Sequence, residues 1–219
     1  MSRAGGDTTQ RSLGPRGLRT RERLLRATEQ LLAERGLRGL SVVEIARRAE
    51  TSPATFYQYF GDALEATLEL AEAASKDLEP LLGALESSFG GDAGLARART
   101  FVAGFLDLWE RHRAVWRVRN HSAEEGDARF RRVRRKALRP LLDRLAATLQ
   151  GSSADAASGG VHPYAVAAAL ATILESLGAY GPELAQFDVD RDALVETCAL
   201  ILVDTITELG GAEASARDE

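Results

Sequence analysis

The 219-residue chain is 45% hydrophobic and 27% charged, a balance that predicts a soluble globular fold with a substantial core. Cys198 is the single cysteine, which excludes an internal disulfide framework and fits a reducing compartment. No apolar run reads as long and uncharged enough to span a bilayer, and the start MSRAGGDTTQRSLGPRG lacks the apolar core of an export signal, so a cytoplasmic protein is expected. The net charge of −4 hides an asymmetry: residues 1–62 hold 11 Arg against 7 Asp/Glu, while the rest holds 17 Lys/Arg against 25 Asp/Glu. A basic head on an acidic body is the distribution of a chain whose one end meets a polyanion.

In chain order, residues 1–18 are rich in Gly, Arg, Ser and Thr without apolar period and read as a disordered basic arm. Arg3, Arg11, Arg16 and Arg19 could reach phosphates or a minor groove from it, or could belong to a solvated tail. Thr20 is placed to cap a first helix whose buried face is Leu24, Ala27 and Leu31, with Leu25, Thr28 and Leu32 beside them, and Gly36 is placed to end it. The stretch SVVEIARRAETSPATFYQYF, Ser41 to Phe60, reads as two short helices around a tight turn. Ser41 and Glu44 have capping-box spacing, and Leu40 and Ile45 that of a hydrophobic staple. Ser52 can cap the second helix with Pro53 at its first position, where a missing N–H costs nothing. Phe56 and Phe60 point inward; Thr55, Tyr57, Gln58 and Tyr59 fall on other sides. A short helix carrying hydroxyls, an amide and aromatics, braced by a capped helix before it, suits a DNA major groove.

Beyond Gly61, Asp62 and Glu65 make another capping pair, and Leu64, Leu68, Ala71 and Leu78 mark a fourth helix that Pro80 bends or ends. From about residue 92 the period is helical throughout. One helix is marked by Phe101, Phe105, Leu108 and Trp109, a short one by Val115, Trp116 and Val118, and a longer one by Phe130, Val133, Ala137, Leu141 and Leu145, with Pro140 as a kink. GSSADAASGG, residues 151–160, is a flexible connection, and two helices close the chain, roughly Pro163 to Tyr180 and Asp192 to Leu209. The expected fold is all-α, about nine helices: a three-helix head over residues 19–62 and a helical-bundle body over 63–219.

The register of Leu40, Ser41, Ile45, Ala46, Ala49, Ser52, Thr55, Phe56, Tyr57, Tyr59 and Phe60 resembles the helix-turn-helix of the TetR family of bacterial transcription regulators. The resemblance covers roughly Thr20 to Leu70; beyond it, only helical character and length agree. Two positions depart from the pattern: Glu50 stands where the family has Gly, so the turn carries strain, and Ala63 stands where the family has a phosphate-contacting Lys. The resemblance implies a ligand-responsive, DNA-binding homodimeric regulator, a repressor released from a near-palindromic operator. Carried over position by position, Pro53, Ala54, Thr55 and Gln58 are the candidates for base edges. Ser41, Tyr57 and Tyr59 are the candidates for phosphates, and Ser52 belongs to the same DNA-binding set. In TetR-like bodies middle-helix aromatics line a cavity, which makes Phe101, Phe105, Trp109, Trp116 and Phe130 the expected lining for a hydrophobic or amphipathic effector. Asn120, His121, Tyr164 and Glu175 are the candidate polar groups. For assembly, Ala167, Ala168, Ala171 and Leu174 on one closing helix and Leu194, Ile201, Leu202 and Thr205 on the other give faces for a two-fold interface, or alternatively fill the monomer core.

Other signals are weaker. Arg129, Arg131, Arg132, Arg134, Arg135, Lys136 and Arg139 form a basic run that helical spacing assigns to a solvated face, with Glu125–Arg129 and Asp127–Arg131 as supporting pairs. His112, His121 and His162 are too scattered for a metal, and Cys198 adds one sulfur among apolar neighbours, so neither metal nor cofactor is expected. Catalytic motifs are lacking, which argues against an enzyme. The competing class is a helical carrier or sequestering protein for a small lipid-like molecule that makes no use of its head.

Overall fold

The computed structural model describes residues 14–86, 89–151 and 161–211. Among the described residues the regular structure is helical with no strand, as expected for an all-α protein: α1 Pro15–Arg35, α2 Val42–Arg48, α3 Pro53–Phe56, α4 Ala63–Ser75, α5 Glu79–Leu82, α6 Gly91–Glu124, α7 Ala128–Gly151, α8 Pro163–Tyr180 and α9 Arg191–Gly211. The chain divides into two compact units between Thr67 and Leu68, within α4.

In the first unit, Leu24, Ala27, Leu31, Ile45, Ala49, Phe56, Phe60 and Ala66 form the core, with Leu40, Tyr59 and Ala63 packed against it. Helix α1 starts earlier than the sequence suggests. Its N-cap is Gly14, with Pro15 in the first turn, and Thr20 lies inside it, its hydroxyl turned back to the Arg16 carbonyl. Pro15 supplies a preset φ and lacks only an N–H that a first turn leaves unbonded, so the start moves upstream of the polar Thr. Arg16 and Arg19 are therefore helical, while Arg3 and Arg11 lie outside the described residues. Gly36, at φ 65°, closes the helix by donating to the Leu32 carbonyl.

The second unit is built on α6, a single helix of 34 residues where the sequence suggested two. The polar run Glu110–Arg113 does not break it: His112 turns to Asp77 (2.9 Å) and Arg113 reaches the Ala179 carbonyl (3.0 Å). Helices α7, α8 and α9 all pack on α6. Phe101, Phe105, Trp109, Trp116, Phe130, Leu141 and Leu145 are buried between them. Two bidentate or paired arginines fix α9 to α6, Arg99 on Glu196 (2.6 and 2.7 Å) and Arg191 on Asp107 and the Ala103 carbonyl. Helix α4 ends at Ser75 and a 3-10 turn, Lys76–Leu78, precedes α5. A proline clashes with the carbonyl four residues back, which for Pro80 is the carbonyl of Lys76 at that break.

The α6–α7 corner is defined by its backbone. Gly126, at φ 105°, follows the helix end, with Asp127 N–H on Ser122 O and Gly126 N–H on Ala123 O, the paired bonds of a Schellman motif. Asp127 then caps α7 through the Arg129 N–H (2.8 Å) and grips the Arg129 guanidinium. Glu125 pairs with His121 at 3.4 Å, and in place of the expected pairing with Asp127 the Arg131 side chain donates to the Ala123 carbonyl. Pro140 is accommodated inside α7. The connection expected at residues 151–160 lies, from 152 on, outside the described residues.

One exclusion drawn from the sequence is corrected. The stretch Pro163–Phe187 is long and apolar enough to cross a membrane by length and composition, with 44% of its apolar window buried in the fold. Its inner face packs in the bundle, and Glu175, one of its two acids, pairs there with Arg119 and Arg134. The faces expected to pair two copies are likewise divided: Ala167, Ala171, Leu174 and Leu202 fill the monomer core, whereas Ala168 and Ile201 are exposed, as are Ile173 and Leu200, which the sequence did not single out. Leu194 and Thr205 are half-buried. Cys198 is buried on α9, and burial pushes its thiol pKa up.

Candidate nucleic-acid interface and effector site

Two side-chain caps set the geometry around α3. The Glu44 N–H donates to Ser41 Oγ (3.2 Å) and the Thr55 N–H to Ser52 Oγ (3.1 Å). The capping box at Ser41 is half made: the Glu44 carboxylate turns instead to Arg47 (2.6 Å) and Arg35 (3.3 Å). Between the caps, Glu50 takes φ 52°, the left-handed region that costs a side-chain-bearing residue about 1–2 kcal/mol. Thr51 N–H bonds to Ala46 O (2.9 Å) and Glu50 N–H to Arg47 O (3.1 Å). These are the bonds that Gly126 supports elsewhere in the chain, here with glutamate in the position that favours glycine.

With Phe56 and Phe60 anchored in the core at 5.5 Å between ring centroids, Ser52, Pro53, Ala54, Tyr57 and Gln58 are left exposed, and Thr55 and Tyr59 half-buried. Thr55 shares a 3.0 Å hydroxyl contact with Ser52. Helix α3 ends at Phe56, so the outward face combines Pro53 and Ala54 of the helix with Tyr57 at its C-cap and Gln58 in the turn that follows. Around it, Arg48 is locked onto Glu34 by two 2.7 Å bonds, which hold the Glu34 carboxylate below its usual pKa.

In the second unit the aromatic residues pack against one another. Trp109 and Trp116 meet edge to face at 5.2 Å, and Phe101 and Phe105 tilt together at 6.2 Å. A small cleft lies beside them, with room for about 10 Å³, on the order of one water molecule, lined by Ser75, Leu78, Phe105, Trp116, Arg119, Ala137, Leu138 and Glu175. Of the expected lining residues, Phe105, Trp116 and Glu175 are there; Phe101, Trp109 and Phe130 are core residues not on its wall. Asn120 acts one step removed, its side-chain oxygen accepting from Arg119 Nε (3.0 Å). His121 lies at the surface against Glu125, and Tyr164, also exposed, donates to Asp143 (2.8 Å).

The residue that sequence reasoning passed over is Arg119. Its side chain is 2% exposed and its guanidinium donates to Glu175 at 2.6 Å. Burial lowers its pKa, with the Glu175 carboxylate acting in opposition. Arg134, assigned from the sequence to a solvated face, reaches the other Glu175 oxygen at 3.1 Å. A signal for Arg119 was present: it follows Trp116 by three on the helical stripe of Phe105, Trp109, His112 and Trp116. Among the described residues no group of three His, Cys, Asp or Glu is arranged to hold a metal ion.

A capped two-helix element with an exposed polar-aromatic face, followed by an all-helical bundle, is the architecture of a helix-turn-helix regulator. Residues 24–62 match the family model described as bacterial regulatory proteins, tetR family, and residues 82–211 that for a tetracyclin repressor-like C-terminal domain. The chain belongs to the TetR family, whose members and the relatives below are transcriptional regulators and not enzymes. An uncharacterised HTH-type transcriptional regulator of Haemophilus influenzae is 29% identical over 129 residues, 58% of this chain and 62% of the relative, so the chain spans less than two thirds of that curated protein. The fold is shared with FadR of Bacillus subtilis, solved with stearoyl-CoA (15% identity, TM-score 0.63, 83% of this chain and 97% of that one). It is shared too with SmeT, repressor of the Stenotrophomonas maltophilia multidrug efflux pump SmeDEF (21% identity, TM-score 0.56, 86% and 90%).

Proposed function

We propose that this protein is a homodimeric DNA-binding transcription repressor of the cytoplasm, acting at the nucleoid and released from a near-palindromic operator by a hydrophobic or amphipathic small molecule. Residues 19–62 are the DNA-binding domain and 63–219 the effector-binding and dimerisation domain. The observation that carries this reading is the outward face of Pro53, Ala54, Tyr57 and Gln58 over the anchored Phe56 and Phe60: exposed groups able to contact bases and phosphates, held on a rigid base. Family membership supports it, as do FadR with stearoyl-CoA and SmeT with triclosan, regulators of this fold that take apolar or amphipathic molecules. Ala63, at the position of the family's phosphate-contacting Lys, packs on the head core, so this chain makes do without that contact. The effector acts by population shift: it prefers a body shape in which the two recognition helices no longer match one turn of DNA, about 34 Å.

The test is a gel shift on the DNA flanking the protein's own gene, across a salt series. Specific binding that weakens steeply with salt is expected. Tyr57→Phe weakens binding to all sequences alike, and Gln58→Ala changes preference at one base position by about 1–3 kcal/mol. Absence of salt-sensitive binding would sink the regulator reading in favour of a small-molecule carrier.

A further inference from the structure

The cleft in the body is polar in one direction only. Arg119 and Glu175 line it, and Arg134 reaches the second Glu175 oxygen from beside it, which leaves this group of three with one positive charge in excess. The nearby buried atoms without a hydrogen-bond partner among the described residues are donors: Trp109 Nε1, Trp116 Nε1 and Arg134 Nε. Trp116, itself 2% exposed, lines the cleft, and the Arg119 guanidinium lies 5.1 Å over its ring. Buried donors without acceptors are costly, and the excess positive charge is only partly open to solvent, Arg134 being 38% exposed. The remaining wall, Leu78, Phe105, Ala137 and Leu138, is apolar.

We propose that the effector carries a carboxylate on an apolar body, and that Arg119 and Arg134, with the unpartnered indole N–H of Trp116, form the site for that carboxylate. This rests on the effector-controlled reading above. A second carboxylate brings the cluster to two guanidiniums and two anions, and supplies acceptors where only donors stand. The apolar part of the ligand lies along Phe105, Leu78 and Leu138. Since the closed cleft holds about one water, such a molecule enters only a body whose walls have parted. Two of those walls are the α7 segment of Ala137 and Leu138, and Ser75 at the end of α4. Helix α4 begins at Ala63, in the unit that carries α3. Preference for the opened body is thereby built into binding, which is what a ligand needs in order to shift an equilibrium.

Trp109 and Trp116 are the only tryptophans, so intrinsic fluorescence of the full-length protein reports the site directly. The probes are octanoate and 3-phenylpropionate, their methyl esters, octyl phosphate and octylamine. Expected is a saturable fluorescence change with the carboxylates, at least tenfold weaker binding of the esters and of octyl phosphate, and none of the amine. Arg134→Gln, at a partly exposed position, should retain the fold and weaken carboxylate binding tenfold or more. The variant Arg119→Leu with Glu175→Leu and Arg134→Gln, which removes all three charges together, should bind acid and ester alike. Equal binding of acid and ester by the wild type, unchanged affinity in Arg134→Gln, tighter binding of octyl phosphate, or no response to any probe at millimolar concentration each overturns the carboxylate site. The gel shift separates the two readings. A carboxylate bound with this selectivity that leaves DNA affinity unchanged supports the site and counts against effector control. Salt-sensitive DNA binding with no carboxylate response does the reverse.

Discussion

Gly178 on α8 lies so close to the Trp109 indole on α6 that a methyl group at Gly178 would stand 2.2 Å from Trp109 Cγ. Trp109 is fully buried and braced edge to face by Trp116, so it has no room to withdraw. Gly178→Ala should therefore destabilise the fold by about 1–3 kcal/mol, the usual cost of overpacking a filled core. For a chain of this size that is a fall in melting temperature of about 2–4 °C per kcal/mol. Gly83, whose added Cβ would meet nothing within 4 Å, is the control: Gly83→Ala should be neutral or slightly stabilising. Thermal unfolding followed by circular dichroism checks both.

The turn before α3 makes the opposite prediction. Glu50 occupies a φ of 52°, and glycine adopts that backbone without a Cβ penalty. Glu50→Gly should raise stability by about 1 kcal/mol, less than the full strain because glycine also loosens the unfolded chain. Glu50→Val should lower it. Urea melts of the three proteins would decide; a less stable Glu50→Gly protein would show that the Glu50 side chain outweighs the strain.

At the α6–α7 corner, the Arg129 guanidinium hydrogen-bonded to Asp127 is the chief cause that brings the carboxyl pKa down from 3.8 to about 2. A carboxyl whose folded pKa lies below its unfolded value stabilises the fold above the unfolded pKa and loses that contribution as pH falls through the folded one. Asp127→Ala should thus cost about 1 kcal/mol near neutrality, as a lost helix cap does. The difference from wild type should shrink between about pH 4 and pH 2. Denaturant melts at several pH values test this; a gap that stays constant to pH 2 would place the effect elsewhere than in the charge.

The proposed pairing of two copies predicts a role for Ile173 and Ile201, 37% and 39% exposed on α8 and α9. Light scattering should give twice the 23.6 kDa chain mass, and Ile201→Asp together with Ile173→Asp should return it to one chain and abolish operator binding, since a two-fold site needs a two-fold protein. A wild-type monomer at micromolar concentration would remove the interface.

What could be read from the sequence was local. The caps at Ser41, Ser52 and Asp62 depend on residues three positions away, and the strain at Glu50 depends on one substitution, so both were legible. The unity of α6 was not, because the polar run Glu110–Arg113 looks like a break until His112 and Arg113 find Asp77 and the Ala179 carbonyl. Arg119 was hidden for the same reason. Its partner Glu175 lies 56 positions on, and periodicity alone gives an arginine no reason to be inside. The size of the cleft was illegible in principle, because whether five aromatics enclose a void or fill one is a property of their joint packing.

Cys198, the only thiol, is closed away on α9 with its pKa raised by burial. Both effects slow its reaction with a thiol reagent, since the attacking species is an exposed thiolate. The body therefore contains a natural clock. The labelling rate of this one sulfur measures how often α9 lifts from the bundle, in the unmodified protein, and comparing that rate with and without DNA or a bound acid would register whether either occupant tightens or loosens the fold.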